Sequence, residues 1–196
     1  MNNAAPIPDV YMHIRVIIGI ILGLSVSRLL NGLAGFVQHP SSKKIYYTHL
    51  IWVVFTLISV LHFWWFEFYL YTVPKWTFEL YLFVVFYSSL YFLLCTLLFP
   101  DKMDEYSGYS EYFMSRRKWF FGLLATIFIV DVIDTAIKGY EHILSFGFIY
   151  PGRNFIFASA AISAIFITNR RYHLAVAIAS LFFQTFWILR AFSTLS

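Results

Sequence analysis

Six side chains with usable chemistry fall inside otherwise apolar stretches of this 196-residue chain: Arg28, Asn31, His62, Asp131, Asp134 and Gln184. Carboxyls hold a proton or a cation. An imidazole changes charge near neutral pH, and a guanidinium stays charged. Ionisable groups placed in a membrane segment are functional hypotheses by default. These six are therefore the candidates for transport or gating.

Arg28 sits in GIILGLSVSRLLNGLAGF. At the centre of a span it costs about 2.5–3.5 kcal/mol and needs an anion, a carbonyl, water or a subunit interface. The expected partner is Asp131 in ATIFIVDVIDTAIK, which also carries Asp134 on the same helix face and Lys138 four residues further on. That order, acid before base, favours an Asp134–Lys138 pair within one helix. In LISVLHFWWFEFYLY, His62 falls at mid-depth, with Trp64, Trp65 and Glu67 following toward the interface. A neutral His62 bonded to Ser59 or Thr56 is the structural reading; a proton relay is the functional one. Gln184 reaches a similar depth, on one helical spacing with His173, Ala177, Ser180 and Ala191. Two roles then compete. Asp131 is a proton or cation site with Arg28 setting its field and His62 tuning it, or the charges only hold helices in register.

Gly19, Gly23, Ser27 and Gly35 form a stripe of small residues every four positions, shared with Arg15 and Asn31. Such spacing predicts close helix packing.

The elements that must position these residues follow from composition. The chain is 60% hydrophobic, 22% aromatic and only 12% charged. Soluble domains carry about twice that share of charge, so too little polar surface remains to cover a water-exposed globule. Runs of about 20 apolar residues read as spans. The fold class expected is all-α: a polytopic integral membrane protein, one domain over 1–196, with six transmembrane helices in one bundle. They run at about 12–37, 48–73, 77–99, 119–138, 153–168 and 172–194. Pro74, Pro100 and Pro151 mark breaks. The fifth is short, and residues 142–150 read as either its backward extension or a re-entrant segment. Asn169-Arg170-Arg171 makes the fifth and sixth spans expected neighbours.

Basic residues set the orientation. Lys43, Lys44, Lys102, Arg116, Arg117, Lys118, Arg170 and Arg171 fall on one side; Lys75, Lys138, Arg153 and Arg190 fall on the other. The positive-inside rule then places both termini on the non-cytoplasmic face, in a membrane of the bacterial inner type. The N-terminal MNNAAPIPDVYMH lacks a basic region ahead of an apolar segment, so the first span is expected to be retained.

Phosphate-loop, dinucleotide, HExxH and GxSxG signatures are missing from the sequence, so no enzyme is expected. Cys95 is alone, which excludes an intrachain disulfide and reads as a packing residue. No metal and no cofactor are expected. Partners are the lipid bilayer, further copies of the chain, and an ion or proton, with no nucleic acid. The leading expectation is an ion or proton channel or small-solute transporter. The competing one is a non-transporting membrane sensor or scaffold subunit, with structural ion pairs and a basic 101–118 loop that meets anionic lipid or a partner. A third, membrane haem binding, rests on His49 and His173 as a ligand pair.

Overall fold

The computed structural model describes residues 7–39, 44–139, 147 and 149–191. They are all-helical, with six α-helices: α1 (Ile7–Gln38), α2 (Tyr47–Phe66), α3 (Phe78–Thr96), α4 (Tyr109–Ile137), α5 (Ile149–Phe166) and α6 (Arg170–Ala191). A 3-10 helical turn, Glu67–Thr72, continues α2. Five of the six (α1, α2 with its 3-10 turn, α3, α4 and α6) are long and apolar enough to cross a membrane. Large apolar side chains such as Val16, Ile20, Leu24, Leu61, Phe182 and Leu189 point outward. That inside-out surface suits lipid contact.

Local chemistry sets several boundaries. The Thr77 hydroxyl accepts from the Leu80 amide at 3.3 Å and caps α3. Gly139, at φ +125°, takes a backbone conformation that stops α4 just after Lys138. Pro151 lies in the first turn of α5, where its missing N–H is no loss. The fifth helix therefore begins at Ile149, ahead of the proline break expected from sequence. The rest of 142–148, apart from Gly147, lies outside the described residues. The loop expected over 100–118 is also shorter, because α4 already starts at Tyr109 and carries the exposed Arg116 and Lys118 and the half-buried Arg117.

Helices α2 and α4 are central. Half of the apolar window of each is buried, against 22% for α1 and 28% for α6. α1 packs on α3, α4 on α5, and α2 on α6. The α5 and α6 backbones stand apart over a groove lined by Phe157, Ala160, Val176 and Ser180, and side chains bridge them, Arg153 to Gln184 at 2.8 Å and Ser163 to Tyr172 at 2.6 Å. The two are neighbours, as expected, but each packs its backbone more closely on another helix, α5 on α4 and α6 on α2. At the basic end, Trp52 packs edge-on against Phe55, Phe120 and Phe121 at 5.1–5.4 Å between ring centres. This fills the core there with aromatic rings.

The small-residue stripe does not pack within the chain. The buried face of α1 is Tyr11, Ile14, Ile18, Leu22, Ser25 and Leu29. Nothing approaches within 4 Å of a methyl group built on Gly19, Gly23 or Gly35, and Ser27 and Asn31 are exposed. The close approach is made by Gly32 instead: a methyl there would lie 2.3 Å from the Phe99 ring. Gly32→Ala is expected to lower stability by about 1–3 kcal/mol through overpacking. Gly23→Ala should be neutral or stabilising, because glycine weakens a helix interior. Thermal unfolding of the two variants in detergent separates them; equal midpoints would show that Phe99 is not seated on Gly32.

Candidate functional site: two buried polar clusters

Asp131 is the node of the first cluster. It lies on α4, and four side chains from α3 and α5 converge on it. Tyr87 donates to Oδ1 at 2.9 Å, Tyr150 to Oδ2 at 2.6 Å, and Asn154 Nδ2 to Oδ2 at 2.7 Å. Arg153 Nη1 stands 3.9 Å from Oδ2. Arg153 is 4% exposed, and its Nη2 donates to Gln184 Oε1 on α6 at 2.8 Å, while Nη1 reaches Asn154 Oδ1 at 3.1 Å. Its guanidinium also lies against the rings of Phe128, Phe157 and Trp187, at 5.4–5.9 Å. The first turn of α5 presents Tyr150, Arg153 and Asn154 on one face, which follows from their three- and four-residue spacing. His62 and Ser59 of α2 line a small cavity beside Asp131, Arg153 and Gln184. A carboxylate has about four acceptor positions. Those of Asp131 are largely filled by protein donors, so the cluster clamps α3, α4, α5 and α6 together around a compensated charge pair.

A second cluster sits about two helical turns along α4. Lys138 Nζ donates to Glu67 Oε1 at 2.7 Å and bonds Asp134, four residues back on its own helix. Glu67, Asp134 and Lys138 are all buried, at 3%, 0% and 5% exposure, so their charges are shielded from water and depend on one another. The ammonium also lies over the Phe66 ring at 4.1 Å, a cation–π contact. Tyr11 of α1 donates to the Phe68 carbonyl at 2.9 Å and closes the cluster on that side.

The remaining candidates lie elsewhere. Arg28 does not meet Asp131. It donates to the Phe99 carbonyl at 2.7 Å and pairs with Asp101, just past the end of α3. α1 runs 32 residues, and Arg28 lies in its C-terminal third, level with the end of α3 and not with Asp131. Asn31 lies one turn further on, reaching Ser27 Oγ at 3.4 Å. The Arg28 and Asp101 side chains are 33% and 86% exposed. Asp101→Asn is thus expected to change stability by no more than about 1 kcal/mol, the range of exposed ion pairs. A larger drop in unfolding midpoint would mean the pair is shielded.

His49 and His173 do not face an open gap. His49 Nε2 bonds the Leu98 carbonyl at 2.6 Å and His173 Nε2 bonds the Ile167 carbonyl at 2.8 Å. Both rings lie against Phe113, at 6.2 and 6.5 Å. Among the described residues no group of three or more His, Cys, Asp or Glu is placed to hold a metal.

Of the sequence candidates, the structure brings Asp131, Gln184 and His62 to one cavity and puts Asp134 with Lys138. The sequence places Arg153 among the charges near helix ends and Glu67 toward the interface, and it does not single out Tyr87, Tyr150 or Asn154. The spacing of Tyr150, Arg153 and Asn154 would have singled them out had the helix been started before Pro151. No protein-family model, curated protein or solved structure matches the chain.

Proposed function

We propose that the chain is a six-span protein of a bacterial inner-type membrane, with both termini on the non-cytoplasmic side, and that it moves protons through a buried carboxyl cluster. α5 serves as the sixth span. Its 18 residues extend about 27 Å, and its polar Arg153 and Asn154 are buried against the other helices at 4% and 2% exposure. The observation that carries the proton reading is the surplus carboxyl at Lys138. One ammonium there meets two buried carboxyls, Glu67 and Asp134. An ion pair needs only one of them. The three groups reach neutrality when the cluster also holds one proton, and Glu67 lines a small pocket with Arg15 and Trp64. Asp131, the site expected from sequence, is less suited, because protein donors occupy its oxygens. A single small bundle leaves little room for an aqueous path, so the working unit is an oligomer.

The test is proton flux in proteoliposomes. Glu67→Gln and Asp134→Asn each leave a neutral pair with Lys138, so both variants should assemble and lose flux at least about tenfold, as expected when a proton-transfer group is removed. Wild-type flux in both variants, or no flux in the wild type across pH and applied potential, overturns the reading. A second reading then takes its place, supported by the aromatic plug around Trp52 that fills the basic half. In it the chain is a sensor or scaffold subunit whose exposed Arg116 and Lys118 and half-buried Arg117 meet anionic lipid or a soluble partner.

A further inference from the structure

Two spaces meet at His62. On the lipid-facing side, a cleft of 260 Å³ between α2 and α6 is lined by Ile58, Leu61, His62, Trp65 and Ile188. On the inner side, His62 borders a cavity of 10 Å³ shared with Ser59, Asp131, Arg153 and Gln184. That is about the room one water needs.

Arg153, which lines the inner cavity, carries an unpaired donor. The Arg153 Nε–H is buried and has no acceptor, although both Nη groups of the same side chain are engaged. A buried guanidinium donor left unpaired is costly, and such groups in native structures call for an explanation. The cleft outside is apolar save for His62, and Leu61 and Trp65 at its mouth are 50% and 40% exposed on the lipid face. Its volume is near the low end of small-molecule pockets, about 300–1,000 Å³. It therefore suits the head and first part of a molecule whose tail stays in the bilayer. A water-soluble ligand would meet no polar mouth there.

We propose that the α2–α6 cleft binds a membrane-dissolved amphiphile that carries a carbonyl oxygen. Its apolar part lies on Ile58, Leu61, Trp65 and Ile188. Its oxygen accepts from Arg153 Nε once the His62 side chain turns aside and joins the two spaces. No residue of the Glu67–Asp134–Lys138 cluster takes part, so this site stands or falls apart from the proton reading.

Photolabelling tests it on the full chain in phosphatidylcholine vesicles. Three diazirine probes of equal chain length are compared: a free fatty acid, its methyl ester and the plain alkane. Carbonyl probes should label the 58–65 and 184–188 peptides about fivefold more than the alkane does, the occupancy one net hydrogen bond is worth. Labelling by the acid alone identifies an anionic amphiphile as the source. Equal labelling by the ester identifies a neutral carbonyl compound. Leu61→Trp fills the cleft from an exposed position and should remove the excess, whereas Leu24→Trp on the lipid face of α1 should not; Ile188→Trp serves if Leu61→Trp fails to assemble. If the alkane labels these peptides equally, or if a folded cleft-filling variant keeps the excess, the proposal fails. Arg153 Nε then holds only a water.

Discussion

Lys138→Met is expected to lower stability by about 3–5 kcal/mol, the range seen when one partner of a buried ion pair is removed. Lys138 is the sole cation bonded to Glu67 and Asp134 among the described residues, and it bonds both. Its loss leaves two carboxyls buried side by side with no counter-charge. The side-chain exposures of 0–3% give water no access to relieve them. Glu67→Gln or Asp134→Asn alone should cost far less, because each leaves one carboxylate paired with the ammonium. Combining all three changes should restore much of the loss, since a cluster without charge has no uncompensated group. Thermal and denaturant unfolding in detergent, followed by tryptophan fluorescence, checks this. A loss below about 1 kcal/mol for Lys138→Met would indicate a cluster open to water, where ion pairs contribute little.

Asp131→Leu should be comparably damaging, for a different reason. It strands the Tyr87 hydroxyl and the Asn154 amide, which donate to this carboxylate, and it leaves Arg153 without its nearest anion, while Tyr150 keeps Thr135 and the Asp131 carbonyl. Each stranded buried donor costs about 1–3 kcal/mol. A double-mutant cycle then identifies the partner. Asp131→Leu with Arg153→Leu should show coupling of about 0.5–3 kcal/mol, as expected for residues in one network. Asp131→Leu with Arg28→Leu should be additive within about 0.5 kcal/mol, since the two lie in separate clusters. Strong coupling to Arg28 would contradict the placement of Arg28 beside Phe99 and Asp101.

What the linear chain carries is position along each helix. Apolar run length, proline breaks and basic loops place each residue along its helix to within a few positions. The Asp134–Lys138 pair is legible for the same reason, because partners four apart on one helix meet whatever the neighbours do. So is the common level of His62, Asp131 and Gln184, which the structure gathers at one cavity. Arg28 was expected opposite Asp131 but meets the Phe99 carbonyl and Asp101, because which neighbour a side chain meets depends on how the helices are staggered against one another, and run length does not give that.

What the sequence by itself determined, then, is an all-helical chain with helices long and apolar enough to cross a membrane, and the position of each polar side chain along its own helix. Which way each helix turns was decided only by the tertiary structure. In a soluble helix one face is apolar and the other polar, so the pattern itself shows the buried side. Here lipid and protein interior are equally apolar, and Ile18 in the core and Ile20 toward lipid look alike in sequence. The small stripe of α1 seemed the packing face, yet Ile14, Ile18 and Leu22 took that role. Rotation about the helix axis is settled by simultaneous packing of all six helices. That packing turned Arg153 inward to Asp131 and Gln184, and it brought Glu67 from the end of α2 to Lys138.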